Sequence, residues 1–92
     1  MKTLEEKQIE GMTTEDLRIS MNAWHRAKIN NERDLINAYK SYQEKKTTFR
    51  KNHLRYCIKD YRLSRELFHI YFTAFCKSIT KDELDEKGKK AA

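Results

Sequence analysis

The chain has 92 residues, a length that supports one small domain and leaves little interior for an enclosed active site. It contains no Pro, two Gly and 37% charged residues, a composition that favours helix nearly throughout. Its net charge is +6; no apolar run reaches the roughly 18–20 residues of a membrane span, and the first ten residues are too charged for a signal peptide. These features predict a cytoplasmic, all-α protein.

Leu4 and Ile9 stand among charges in residues 2–10, which reads as a short, weakly ordered N-terminal segment (1–12) ended at Gly11. Thr13-Thr14-Glu15-Asp16 then carries a start signal. Thr13 is placed to cap, Asp16 stands three residues on as in a capping box, and Met12 with Leu17 has the spacing of a hydrophobic staple. The helix that follows has an apolar stripe of Leu17, Met21, Trp24, Ala27, Leu35, Ala38, Tyr39 and Tyr42. Lys28 and Asn31 interrupt it. Either the helix restarts near Asn31, where Asn30 to Asp34 resembles a new cap, or it runs to about Lys46 with a polar middle.

Residues 44–48 contain no strong breaker, but one helix from Thr14 to Ile79 would be roughly 100 Å long and would expose most of its apolar surface. A turn with Thr47 or Thr48 as N-cap gives an antiparallel helical hairpin with a long C-terminal helix. A rod wrapped by a partner is the other solution. The long helix has one apolar stripe through Leu54, Cys57, Ile58, Tyr61, Phe68, Phe72, Phe75, Cys76 and Ile79, which places Phe72 in the core. A second set, Tyr56, Leu63, Leu67, Ile70 and Ala74, lies on nearly the opposite side. Thr80 to Glu83 repeats the capping pattern and predicts a last turn before Gly88, with 80–92 a frayed tail. Lys81 to Leu84 spells a retrieval tetrapeptide at an internal position, where it carries no address.

Chemistry-bearing residues are sparse. Cys57 and Cys76 lie about 28 Å apart along one predicted helix, too far to bridge, and read as buried thiols of a reducing compartment. His53 and Cys57 share a helical face, but tetrahedral zinc needs two more ligands and only Cys76 remains, so no metal or cofactor is expected. No phosphate-binding Gly loop and no paired carboxylates occur, which argues against an enzyme and leaves no catalytic residues to name.

Charge is the sharper signal. Residues 49–80 carry 7 basic and 2 acidic side chains, whereas 1–48 carry 9 and 8. Lys51, Arg55, Lys59 and Arg62 fall on one ridge, flanked by Arg50 and Arg65, with Tyr42, Phe49 and Tyr56 near enough to stack on bases. The ridge predicts a partner that is nucleic acid or a nucleic-acid-processing complex. The second apolar set, Leu63, Leu67, Ile70 and Ala74, predicts a protein interface, either a homodimer forming a four-helix bundle or a host enzyme on which a small adaptor or inhibitor docks.

Overall fold

The computed structural model describes the backbone of residues 4–91 and the side chains of residues 7–82. Three helices follow one another: α1 (Leu4–Glu10), α2 (Thr14–Glu44) and α3 (Thr48–Ala91), and there is no strand among the described residues. Helices α2 and α3 pack against each other as an antiparallel hairpin. No described helix is long and apolar enough to cross a membrane.

Local signals set the helix ends. The Thr13 side chain accepts from the Asp16 N–H at 3.1 Å, and the Asp16 carboxylate accepts from the Thr13 N–H at 3.4 Å, closing a capping box. At the hairpin turn, Thr47 caps α3: its hydroxyl accepts from the Arg50 N–H at 3.2 Å. Helix α2 has no basic residue in its own last turn. Arg50 supplies that charge from across the turn, its Nη1 donating to the Ser41 carbonyl at 2.7 Å, where the helix dipole is negative.

Helix α2 does not restart at Asn31 but continues through it, so the polar middle of its apolar stripe faces α3. The Asn31 amide donates to the Ser64 hydroxyl at 3.1 Å and to the Asp60 carbonyl at 3.3 Å, while Ser64 donates to the Tyr61 carbonyl at 3.0 Å. Ser64 is 1% exposed and fully satisfied. Lys28, the other interruption, lays its ammonium 4.4 Å from the centre of the Phe68 ring. Both polar residues are therefore members of the packed seam.

On α3 the buried positions are Cys57, Ser64 and Tyr71, seven residues apart. Leu54, Tyr61, Phe68 and Phe75, each partly buried, alternate with them at steps of three and four. This is the alternating three-four spacing of paired helices, matched on α2 by Leu17, Met21, Trp24, Lys28, Asn31, Leu35, Ala38 and Tyr42. It moves the core away from the stripe expected from an ideal 3.6-residue repeat. Phe72 stays 44% exposed and stacks on Phe68 with centroids 5.7 Å apart, and Cys76 is exposed.

The second departure is at Thr80, which does not cap a new turn. Its hydroxyl donates to the Cys76 carbonyl at 3.0 Å within an uninterrupted helix that passes Gly88 and reaches Ala91. The side chains of Leu4, in the weakly ordered N-terminal segment, and of Glu83, in the repeated capping pattern, lie outside the described residues. The far end of the hairpin is pinned by Thr14, which bonds the Ser78 hydroxyl and donates to the Asp82 carboxylate at 2.9 Å.

A two-helix body is thin: it measures 68 × 27 × 14 Å, and its radius of gyration is 18.8 Å against about 12 Å for a compact domain of this length. Its accessible surface of 7476 Å² exceeds by about 1,800 Å² the roughly 5,700 Å² normal for a monomer of this mass. A thin body leaves large side chains uncovered on the hairpin flanks, Ile29, Ile36, Phe49, Tyr56 and Leu63 among them.

Burial predicts how adjacent aromatics respond to truncation. Tyr71→Ala empties a buried seam position and should cost about 3–4 kcal/mol. Phe72→Ala removes a half-exposed ring and its stacking on Phe68, worth on the order of 1 kcal/mol. Thermal unfolding should show a fall in Tm for Tyr71→Ala several times that for Phe72→Ala; equal shifts would place the seam elsewhere.

Candidate nucleic-acid interface

Helix α3 presents three surfaces besides the one packed on α2. The first is the ridge. Lys51, Arg55, Lys59 and Arg62 are all exposed, on the side of α3 turned away from α2. For comparison, Arg18 on α2 is paired with Glu15, and the hydrogen bond between them holds the Glu15 carboxyl below its usual range and the Arg18 guanidinium above its own. None of the four ridge cations has such an acidic partner among the described residues. Their charge is therefore available to a ligand, and their mutual i,i+4 repulsion costs an isolated helix about 0.2–0.5 kcal/mol per pair.

The two flanking arginines behave differently. Arg50 is half-buried and committed to the Ser41 carbonyl, so it belongs to the hairpin turn. Arg65 is exposed and lies 5.8 Å from the centre of the Tyr61 ring, which orients it without neutralising it. Of the aromatics near the ridge, Phe49 and Tyr56 stand well out from the helix at 81% and 65% exposure, while Tyr42 is drawn partly into the seam.

The second surface is apolar. Leu63 and Ile70 are 54% and 38% exposed, and Leu67 and Ala74 are partly covered. A shallow depression beside them is lined by Ile9, Ile70, Thr73, Ala74 and Lys77, so α1 reaches the C-terminal end of this flank through Ile9. Leu63 lies outside that depression.

The third surface is a groove of about 400 Å³ along the hairpin near its turn, lined on α2 by Asn31, Asp34, Asn37, Ala38 and Ser41 and on α3 by His53, Tyr56, Cys57 and Asp60. Sequence reasoning missed it except for one edge, the i,i+4 pair His53 and Cys57, whose Nε2 and Sγ stand 3.8 Å apart. The missing signal was pairing: Asp34 and Asp60 come together only once the hairpin is closed. Burial pushes the Cys57 thiol up from its ordinary range, and the charges of Asp34 and Asp60 push it further the same way. A protonated thiol is a poor nucleophile and a poor metal ligand. No group of three or more His, Cys, Asp or Glu among the described residues is arranged to hold a metal ion, and Cys76 is exposed on another part of α3.

No known protein family, no curated protein and no solved structure matches this chain. The functional reading rests on these surfaces.

The two thiols should differ in reactivity in a way that checks this geometry. At pH 8 an alkylating agent should label exposed Cys76 at about the rate of a free thiol, while Cys57, buried and held protonated, should label at least about tenfold more slowly until the protein is unfolded. Mass spectrometry of a time course reads the two rates; comparable rates would mean that the Cys57 side of the hairpin is open.

Proposed function

We propose that the protein is a non-enzymatic, cytoplasmic binding protein that attaches to nucleic acid, or to a complex that handles it, through the outer face of α3. The observation that carries this reading is the ridge of Lys51, Arg55, Lys59 and Arg62, four exposed cations on one helix face without acidic partners among the described residues. Phosphate contacts suit such a row, because each neutralised phosphate releases counterions and the gain needs no pocket. Arg65 extends the row, and exposed Phe49 and Tyr56 beside it offer faces on which unpaired bases stack. Arg50 contributes positive potential rather than a contact. The apolar flank of Leu63, Leu67, Ile70 and Ala74 supplies oligomerisation, with two hairpins forming a four-helix bundle.

A second reading is favoured by the uncovered surface: a protein-only adaptor or inhibitor, docking on a larger enzyme by the same apolar flank. The two readings differ in salt dependence. Wild-type protein should bind generic DNA or RNA at about 50–100 mM salt, with affinity falling linearly on a log-log plot. Replacing Lys51, Arg55 and Arg62 by Glu should leave the melting temperature nearly unchanged and reduce that slope by about 0.7–0.9 for each phosphate that is no longer neutralised. Absence of binding by the wild type in that range would make the adaptor reading the leading one.

A further inference from the structure

The uncovered flank of α3 has the repeat of a helix-pairing seam. Phe49, Tyr56, Leu63 and Ile70 recur every seven residues and remain 81%, 65%, 54% and 38% exposed, while Leu67 and Ala74 stand four residues after Leu63 and Ile70. From Leu63 onward this is the three-four alternation that α3 uses on its other side to pack against α2, while His53 and Asp60 take the corresponding positions after Phe49 and Tyr56. Phosphate binding does not require it, and a flat solvated face would not show it.

Resting on the oligomerisation assigned to this flank above, we propose that its occupant is a second copy of the chain, with the two α3 helices antiparallel about a two-fold axis at Leu63. Tyr56 and Ile70 stand equally far from Leu63, so each meets the other across the axis. The charges beside the seam select the direction. Lys59 and Glu66 lie one heptad apart on its solvent edge, four residues before and three after Leu63, and neither has an ion-pair partner among the described residues of its own chain. Antiparallel pairing places Lys59 of each copy opposite Glu66 of the other, twice over. Parallel pairing, with the axis along the helices, would put Lys59 and Glu66 of the two copies on opposite edges of the seam, where they have no charge of the partner's ridge edge to meet.

This axis has a consequence for the ridge. A two-fold axis perpendicular to an antiparallel helix pair keeps corresponding faces on the same side. Both α2 helices then lie on one side of the α3 pair, and both ridges lie on the other, on helices about 8–10 Å apart. Lys51, Arg55 and Arg62 from two copies form one basic face of six cations in place of the four on a single ridge, while Lys59 and the Tyr56 ring are spent on the interface.

Sedimentation equilibrium and directed cross-linking of the full chain, without nucleic acid, test the arrangement. The wild type should be a dimer at about 10 μM in 0.1 M salt, an affinity range expected of an interface of standard size. Lys59→Glu should weaken the dimer about tenfold, since two exposed pairs turn repulsive, and Lys59→Glu with Glu66→Lys should recover most of that loss. In a Cys57→Ala, Cys76→Ser background that still dimerises, Leu63→Cys should form a disulfide-linked dimer on mild oxidation. Tyr56→Cys should link only when Ile70→Cys is also present. A monomeric wild type overturns the proposal, as does a dimer in which Cys at 63 does not link to itself or the double charge exchange does not restore affinity. Because nucleic acid is absent, a dimer that passes these tests and yet binds no DNA or RNA would reject the proposed function and leave the dimer standing.

Discussion

The fold depends on one seam, in which α2 and α3 interlock at alternating three- and four-residue steps with a polar layer at its centre. Asn31 donates to Ser64 and to the Asp60 carbonyl from a position where an apolar side chain would pack with more stability. A seam built from Leu17, Met21, Trp24 and Leu35 against Leu54, Tyr61, Phe68 and Phe75 has few means of distinguishing one register from the next. A slide of one heptad would pair apolar groups again but would leave the Asn31 amide and the Ser64 hydroxyl buried without each other, at about 1–3 kcal/mol per unsatisfied group. The polar layer thus fixes register at a cost in stability, as single buried Asn residues do in coiled coils. Thr14 on Ser78 at one end and Arg50 on Ser41 at the other hold the same alignment.

Two helices bury one face each, and everything else about the molecule follows from that limit. A body 14 Å thick has no interior away from the seam, so large apolar residues outside it must remain in contact with water or find another chain. Ile29, Ile36 and Tyr39 on α2 and Phe49, Tyr56, Leu63 and Ile70 on α3 are in this position. Among the described side chains, helix α1, seven residues long, meets the Ile70 and Ala74 end of the α3 flank through Ile9.

Much of this was legible in the sequence because it was local. The Thr13 capping box, the turn before Thr48 and the pairing of two helical stripes all come from signals spanning a few residues. What was not legible depended on the partner helix. A 3.6-residue wheel drifts about 20° per heptad against the 3.5-residue repeat of a packed pair, which carried Phe72 and Cys76 into the expected core and left Tyr71 out. Ser64 was passed over, and Asn31 was read as an interruption rather than a contact, because the sequence shows two separate polar residues and only the packed pair shows a hydrogen bond. Thr80 misled for a related reason: its hydroxyl satisfies the carbonyl four residues back as readily as it caps a new turn. For the candidate interface, exposure of Lys51, Arg55, Lys59 and Arg62 agreed with the helical spacing, whereas the use of Arg50 at the α2 terminus required the closed turn.

The distribution of side chains around α3 allows a single helix to carry both proposed binding surfaces. Its buried seam, centred on Cys57, Ser64 and Tyr71, takes one side, the Tyr56, Leu63 and Ile70 flank lies roughly 100° away, and the ridge lies about as far again. Cations inserted between the two apolar rows would have been dehydrated by whatever covers the flank, at a cost of several kcal/mol for each unpaired charge. Placed beyond the flank, on the face opposite α2, Lys51, Arg55 and Arg62 keep their hydration when the flank is covered. The proposed association through the flank and the proposed attachment through the ridge are in this way compatible on one helix: covering the apolar row leaves these three cations exposed, and in the proposed dimer it sets a second such row beside the first.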